Sequence, residues 1–223
     1  MKTKPITGFR WMKSGKEFDE IKKVFRHMWC YYDFYREEAQ DLPYWSTEMA
    51  LVGNMAIASA WAGFPAALEF LQDKPGLKSR KRADLWMGFP KNRSMLVEAK
   101  CRWFYKLSDI DIRTTGVEVN KSLREADKQL YEFLKGVTKD EQPTHLMSIL
   151  FLQVCINKKE IGKGLCSKIE KIYRSCKVNG QIPFTAYYFL ENTKEFKELY
   201  DRYDKKFSYP GVIIFGRISG RHH

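Results

Sequence analysis

Between Lys16 and Gln40 the apolar residues Phe18, Ile21, Phe25, Met28, Tyr32 and Tyr35 recur at alternating steps of three and four, which puts them on one face of an amphipathic helix. The pattern lasts about two and a half heptads, suiting a helix packed on its own domain, with a homodimer seam as the other use of such a face. A second helix is expected from Thr47 to Ala62. Ser46 or Thr47 serves as its N-cap, Met49, Val52, Met55 and Ala56 follow, and Gly63-Phe64-Pro65 ends it. Two β-like runs come next, Ala83 to Phe89 and Ser94 to Phe104, with Pro90-Lys91-Asn92-Arg93 as a turn between them, so they read as a hairpin. A thin alternation at Asp109 to Thr115 suggests a further strand. Asn120 reads as the N-cap of a helix running to about Leu134, whose Leu123, Ala126, Leu130 and Phe133 or Leu134 share a face.

The run Leu146 to Ile156 is almost continuously apolar, as expected of a central strand buried on both sides. A helix from Leu165 to Cys176, a strand at Phe184 to Leu190, a short charged helix at Thr193 to Tyr203 and a strand at Gly211 to Phe215 complete the order. Helices interleaved with strands make this an α/β chain, with no internal repeat and no low-complexity segment.

Composition narrows the function classes. The 223 residues carry 39 Lys and Arg against 27 Asp and Glu, a net charge of +12, while 44% of residues are hydrophobic and 15% aromatic. That hydrophobic content excludes a disordered basic tail, and the surplus predicts attraction to polyanions, nucleic acid first. Five cysteines without a CxxC pair, and no apolar leader, point to a cytoplasmic protein without a disulfide framework. Asn54, Gly63, Pro65 and Gln153 interrupt the longest apolar stretches, against a membrane span. With His222 and His223 set aside at the end of the sequence, His27 and His145 are too few for a zinc site of His/Cys pairs. No GxxxxGK[ST] or GxGxxG occurs.

The chemistry concentrates in Ser94-Met95-Leu96-Val97-Glu98-Ala99-Lys100. Alternation on a strand puts Met95, Val97 and Ala99 on one face and Leu96, Glu98 and Lys100 on the other, so a carboxylate and an ammonium project side by side. If the hairpin pairs as expected, Asp84 approaches Glu98. Two acids held together repel unless a cation lies between them, and Mg²⁺ (or Mn²⁺) takes such oxygen ligands while keeping positions for water and phosphate. This is the chemistry of phosphodiester hydrolysis, with Lys100 placed to orient a water or balance developing charge.

These residues resemble the PD-(D/E)XK nuclease superfamily, in which an acid on one strand is followed by E-x-K on the next and then a helix. Here Asp84 is separated by thirteen residues from Glu98-Ala99-Lys100, and Ala83 stands where the family usually has proline. The resemblance implies a further acid on the helix before the hairpin, which Glu48 matches, with Glu69 as competitor. It also implies a Gln on the helix after, for which Gln129 fits. It carries with it a restriction-endonuclease-like mixed sheet flanked by helices over residues 46–223, residues 1–45 forming an N-terminal helical extension. The implied function is Mg²⁺-dependent cleavage of nucleic acid, DNA before RNA, with Asp84, Glu98 and Glu48 as metal ligands. The alternative is a basic nucleic-acid-binding or assembly module on the same fold without catalysis.

Around the hairpin, Lys74, Lys78, Arg80, Lys81, Arg82, Lys91 and Arg93 gather with Asp84 as the one acid among them. Lys78, Arg80, Lys81, Arg82, Lys91 and Arg93 are the expected phosphate contacts. Trp86, Trp103, Phe104 and Tyr105 are aromatic residues that suit either core packing or stacking on unpaired bases. Cys155 lies in an apolar run and reads as a buried hydrophobe rather than a nucleophile served by His145. Asp109 and Asp111 form a weaker acidic pair without a lysine at the E-x-K spacing.

Overall fold

The computed structural model describes residues 5–13, 18–39, 41–71, 82–104, 112–138, 142–157, 165–190 and 207–220. In chain order these form β1 (Ile6–Trp11), α1 (Asp19–Ala39), α2 (Glu48–Trp61), β2 (Ala66–Leu71), β3 (Arg82–Phe89), β4 (Arg93–Phe104), α3 (Ile112–Leu134), β5 (His145–Asn157), α4 (Leu165–Ser175), β6 (Ile182–Phe189) and β7 (Phe207–Gly220). The strands make one seven-stranded mixed sheet in the order β1-β6-β7-β5-β4-β3-β2. Its single parallel pair is β4–β5, bridged by α3; the other neighbours are antiparallel.

Alternation along β5 explains the layering. Met147, Ile149 and Phe151 point into a large core shared with Ile21, Phe25 and Met28 of α1 and Leu51, Val52 and Met55 of α2. Leu150 and Leu152 point the other way, into a second core with Val119 and Leu123 of α3 and Ile169 and Ile172 of α4. A third cluster joins Ala83, Leu96 and Leu146 to Leu130 and Phe133 at the far end of α3. The sheet is thus sandwiched between α1/α2 and α3/α4, and β5 is central and buried on both faces, as its apolar run predicts. Gly216 of β7 lies under the Phe184 ring, where a Cβ would come within 2.2 Å of that ring.

Local chemistry sets the helix boundaries. Asp19 and Glu20 open α1 and Arg36 lies in its last turn, both favourable to the helix dipole. The Thr47 hydroxyl accepts the Ala50 N–H at 3.3 Å and so caps α2, while Gly63, at φ +83°, turns the chain out of it. In the β3–β4 hairpin, Lys91 and Asn92 take positive φ values of 64° and 54°, a conformation asparagine tolerates well.

Several expectations are corrected. Residues 112–115 are helical rather than extended, and Thr115 lies buried one turn before Val119 on the same face. Asn120 lies inside α3 and does not cap it: its amide donates to Gly116 O and Lys177 O, both at 2.8 Å, and its Oδ1 accepts the Asn179 N–H at 2.8 Å. It clamps the chain that follows α4. The segment expected as a helical extension also contains a strand, β1, paired with β6, and its helix α1 is built into the main core. β2 was not anticipated, and β7 extends beyond both ends of the Gly211 to Phe215 run. The charged helix expected at residues 193–203 lies outside the described residues, as do Asp109 and Asp111.

Candidate active site

The ladder between β3 and β4 ends at Leu85 opposite Val97. One residue further, the Asp84 carboxylate takes the place of the missing strand: its Oδ2 accepts the Ala99 N–H at 2.7 Å. The next amide on that edge of β4, two residues on, belongs to Cys101, and it donates to the Glu48 carboxylate at the start of α2. Two carboxylates from different elements therefore line the edge that β4 presents where β3 turns away. Glu98 and Lys100 project from the same stretch, on the face of Leu96, toward α3.

Their geometry is close. The Lys100 ammonium donates to Glu98 Oε1 at 3.0 Å and to Ala99 O at 2.7 Å, and lies 4.0 Å from Glu48 Oε1. Glu98 is buried, with 5% exposure. Burial, then the charge of Asp84, pushes its carboxyl up from 4.5 to about 7, against the opposing pull of Lys100. Burial also raises the Glu48 carboxyl, with Asp84 adding to the rise and Lys100 and the Cys101 N–H opposing it. Lys100 pairs with Glu98 and Glu48 among the described residues, and Arg102 adds a further positive charge near Glu48. Among the described residues no group of three or more His, Cys, Asp or Glu side chains is gathered tightly enough to form a ready-made metal cage. The donors that could hold a divalent cation are the carboxylates of Asp84, Glu98 and Glu48, an all-oxygen set suited to Mg²⁺ or Mn²⁺. Among the described residues these three carboxylates stand near Lys100 and Arg102, the latter also paired with Glu125, and that excess of carboxylate fits such an ion.

Glu48 is held in place from behind. The Gln153 amide of β5 donates to Tyr44 O at 2.8 Å and Ser46 O at 2.6 Å, fixing the loop that leads into α2. The Tyr44 hydroxyl donates to Tyr209 O at 3.1 Å, and the Trp45 ring stacks on Tyr209 with centroids 4.3 Å apart.

The other expected residues fall in different places. Gln129 is exposed on α3, and among the described residues no hydrogen bond or ion pair joins it to the acids. Glu69 lies across β2–β3 from Asp84, but at φ +49° its carboxylate pairs with Arg82 at 2.9 Å. Lys91 is exposed at the hairpin tip, whereas Arg93 is tied to Glu20 of α1 and to Pro90 O. Lys74, Lys78, Arg80, Lys81 and Tyr105 lie outside the described residues. Trp103 packs edge-on against Tyr209, and Phe104 packs on the α3/α4 core. Cys155 is buried in the main core and His145 sits ten residues away along the same strand, roughly 33 Å, so the two form no dyad. Burial, with the Glu48 charge, pushes the Cys101 thiol up to about 11, away from nucleophilic duty.

Sequence reasoning missed a neighbouring polar group. Ser148 pairs with Glu98 on one side and Arg217 on the other, so the three form one row across β4, β5 and β7. Asp127 of α3 closes over this row, accepting from the Ser148 hydroxyl and from Arg217 Nη2, while Arg217 Nη1 donates to Asn179 O at 2.7 Å. The available signal was Arg217 itself, a charge inside an apolar strand, which requires a buried partner.

No family model matches the chain, and neither the curated proteins nor the solved structures include a significant likeness to it. Among the described residues no helix is long and apolar enough to cross a membrane.

Proposed function

We propose that the protein is a divalent-metal-dependent nuclease of the PD-(D/E)XK type on a restriction-endonuclease-like sheet, acting on DNA in preference to RNA. The observation that carries this reading is the replacement of strand pairing by Asp84 at Ala99, which leaves Asp84, Glu98, Lys100 and Glu48 around one opening in the sheet. A structural hairpin would continue its ladder there; a charged strand face would spread its acids into solvent rather than bury Glu98. Asp84, Glu98 and Glu48 would hold Mg²⁺, which when bound polarises phosphate and lowers the pKa of water. Lys100 then serves the reacting phosphate. Its ammonium, 3.0 Å from Glu98 Oε1, would hold the attacking water or offset negative charge on the phosphate oxygens. Glu48, half-exposed and fixed by the Cys101 N–H, would act as a further ligand or as the acid that positions that water.

The alternative, a binding module without catalysis, draws on the same hydrogen bonds: Lys100 already neutralises Glu98 without a metal. One assay separates the two. Plasmid, linear, branched and single-stranded DNA, and RNA, are incubated with the protein and Mg²⁺ or Mn²⁺. Cleavage is expected with wild type, and a loss on the order of 10³-fold with Lys100→Ala or Glu98→Gln at nearly unchanged DNA affinity, since affinity rests on the dispersed basic surface. Undiminished turnover in either variant would sink the nuclease assignment.

A further inference from the structure

α1 has a second face, turned away from the sheet, and it is apolar in its middle. The helix buries Ile21, Phe25, Met28 and Tyr32 in the main core, so Lys23, Arg26, Cys30 and Phe34, at steps of three and four, form the exposed stripe on its opposite side. Phe34 is 54% exposed and Trp61, the last residue of α2, 47% exposed; their ring centroids lie 6.1 Å apart. The half-buried Tyr31 ring stands edge-on to Trp61 at 5.5 Å, and Ile57, one turn before Trp61, is 38% exposed and extends the same surface. These side chains touch and make a continuous patch. The other large exposed apolar side chains among the described residues, Met49, Leu68, Val117 and Tyr131, are scattered singly, as on most protein surfaces.

Charge along the stripe says what covers it. Lys23 and Arg26 precede the patch and Glu37 and Glu38 follow it, all four exposed. Lys23 rests 5.3 Å over the Phe64 ring, a contact that neutralises no charge, and Arg36 is turned to Asp33 and lies 4.0 Å from Glu37. A nucleic-acid backbone would be repelled at Glu37 and Glu38, whereas an antiparallel copy of the same helix meets opposite charge at both ends. At 1.5 Å per residue, Lys23 and Glu38 each stand about 11 Å from the midpoint between Cys30 and Tyr31. A two-fold axis there sets Lys23 of one copy against Glu38 of the other, brings Arg26 near Glu37, and lays Phe34 across His27, Cys30 and Tyr31 of the facing helix. Asp19 falls past the end of that helix. One surface satisfies itself, and the antiparallel dipoles add to the fit.

We propose that two copies of this chain associate through the outer face of α1 and the Trp61 end of α2, antiparallel about a two-fold axis beside Cys30. This is independent of the nuclease reading. Cys30 is a free, exposed thiol, and the arrangement brings the two Cys30 residues within one residue's rise of each other along the helices. At an interaxial distance of about 8 Å their Cα atoms come into disulfide range.

The test is sedimentation equilibrium on the full chain without nucleic acid or divalent ions, at about 0.15 M salt, where the net charge of +12 is screened beyond roughly 8 Å. A dimer is expected at concentrations up to about 100 µM. Phe34→Ala should weaken it about thirtyfold, since a symmetric interface feels the truncation twice. Lys23→Glu and Glu38→Lys should each weaken self-association about tenfold, and mixing the two variants should restore it as a heterodimer, because each then meets its opposite charge. That rescue also shows that both variants fold. Diamide should link the wild-type dimer, and Cys30→Ser should abolish the link while leaving the dimer. A monomer at every concentration, a dimer indifferent to Phe34→Ala, a mixture no tighter than its separate variants, or a dimer without the Cys30 link would overturn the proposal.

Discussion

Glu98 and Asp127 are carboxylates on the same side of the same sheet, one on a strand and one on the helix that covers it, and their surroundings are opposite. Asp127 is matched: Arg217 and the Ser148 hydroxyl converge on it, and Arg217 Nη1 also donates to Asn179 O. Glu98 is mismatched. Among the described residues it shares the Lys100 ammonium with Glu48 and stands beside Asp84, and burial raises its carboxyl to about 7. Neutralised clusters hold a fold together; a buried surplus of one sign is kept where something else is meant to bind. The row from Glu98 through Ser148 to Arg217 places both kinds side by side, so each serves as the other's control.

The largest expected effect is on pH dependence. Glu98 binds its proton more tightly in the folded state, so in the absence of metal its contribution to stability is complete below about pH 4.5 and is lost as pH rises through about 7. The full loss is about 3 kcal/mol. Chemical denaturation at pH 5 and pH 8 is expected to show a drop in wild type that is much reduced in Glu98→Gln, with the variant the more stable at pH 8. Equal slopes in the two proteins would place Glu98 in an unremarkable environment.

Metal should reverse that penalty. At a hundredfold excess over its dissociation constant, Mg²⁺ or Mn²⁺ is expected to stabilise the folded chain by about 2.7 kcal/mol. Asp84→Asn should leave the metal-free protein at least as stable while blunting the gain. Calorimetry and melting curves check both halves, and the absence of saturable binding, with or without a nucleic-acid ligand, would remove the metal site.

Asp127→Ala tests the matched side. With Arg217 only 11% exposed, removing its partner leaves a cation nearly buried, and a loss of about 2 kcal/mol is expected in urea unfolding, independent of divalent ions. A metal-sensitive loss would mean that the two clusters are one site. The smallest effect belongs to the hairpin tip: Lys91→Ala should weaken binding to all sequences alike and reduce the slope of log affinity against log salt by about one unit.

Much of this comparison was legible in the sequence on the mismatched side and little on the matched side. Asp84, Glu98 and Lys100 lie within one hairpin, whose pairing follows from alternation and a turn, so their meeting is a local consequence. Glu48 was reachable through its place at the start of a capped helix, although its anchor, the Cys101 N–H, depends on where β3 stops pairing. Asp127, Ser148 and Arg217 come from three elements and have no shared local pattern. Asn120 fails for the same reason: its amide looks like a cap until a partner at Lys177 or Asn179 is known. β2 escaped because Ala66-Ala67-Leu68 follows the apolar end of α2 with no β-branched residue to mark the change, and β1 because Thr7, Gly8 and Arg10 break up an already short run. The ends of β7 were missed because Ser208, Arg217 and Ser219 suggest a loop, and for Arg217 the helix that excuses it is remote in sequence.

The pairing of β1 with β6 has a consequence for synthesis on the ribosome. Ile6 bonds alongside Phe189, and Phe25 and Trp29 of α1 pack on Phe184 and Tyr188, so the first strand and first helix emerge long before the strand that receives them. Pairing this distant in sequence closes slowly. Until β6 is made, the aromatic face of α1 has no sheet to cover it and is a natural client for chaperones. Glu98 likewise waits, since β5, which pairs with β4, and β7, which pairs with β5, both follow it in translation and complete its row. A nascent chain therefore carries the acidic hairpin without the framework that aligns it, and the finished site appears only once β7 has been made.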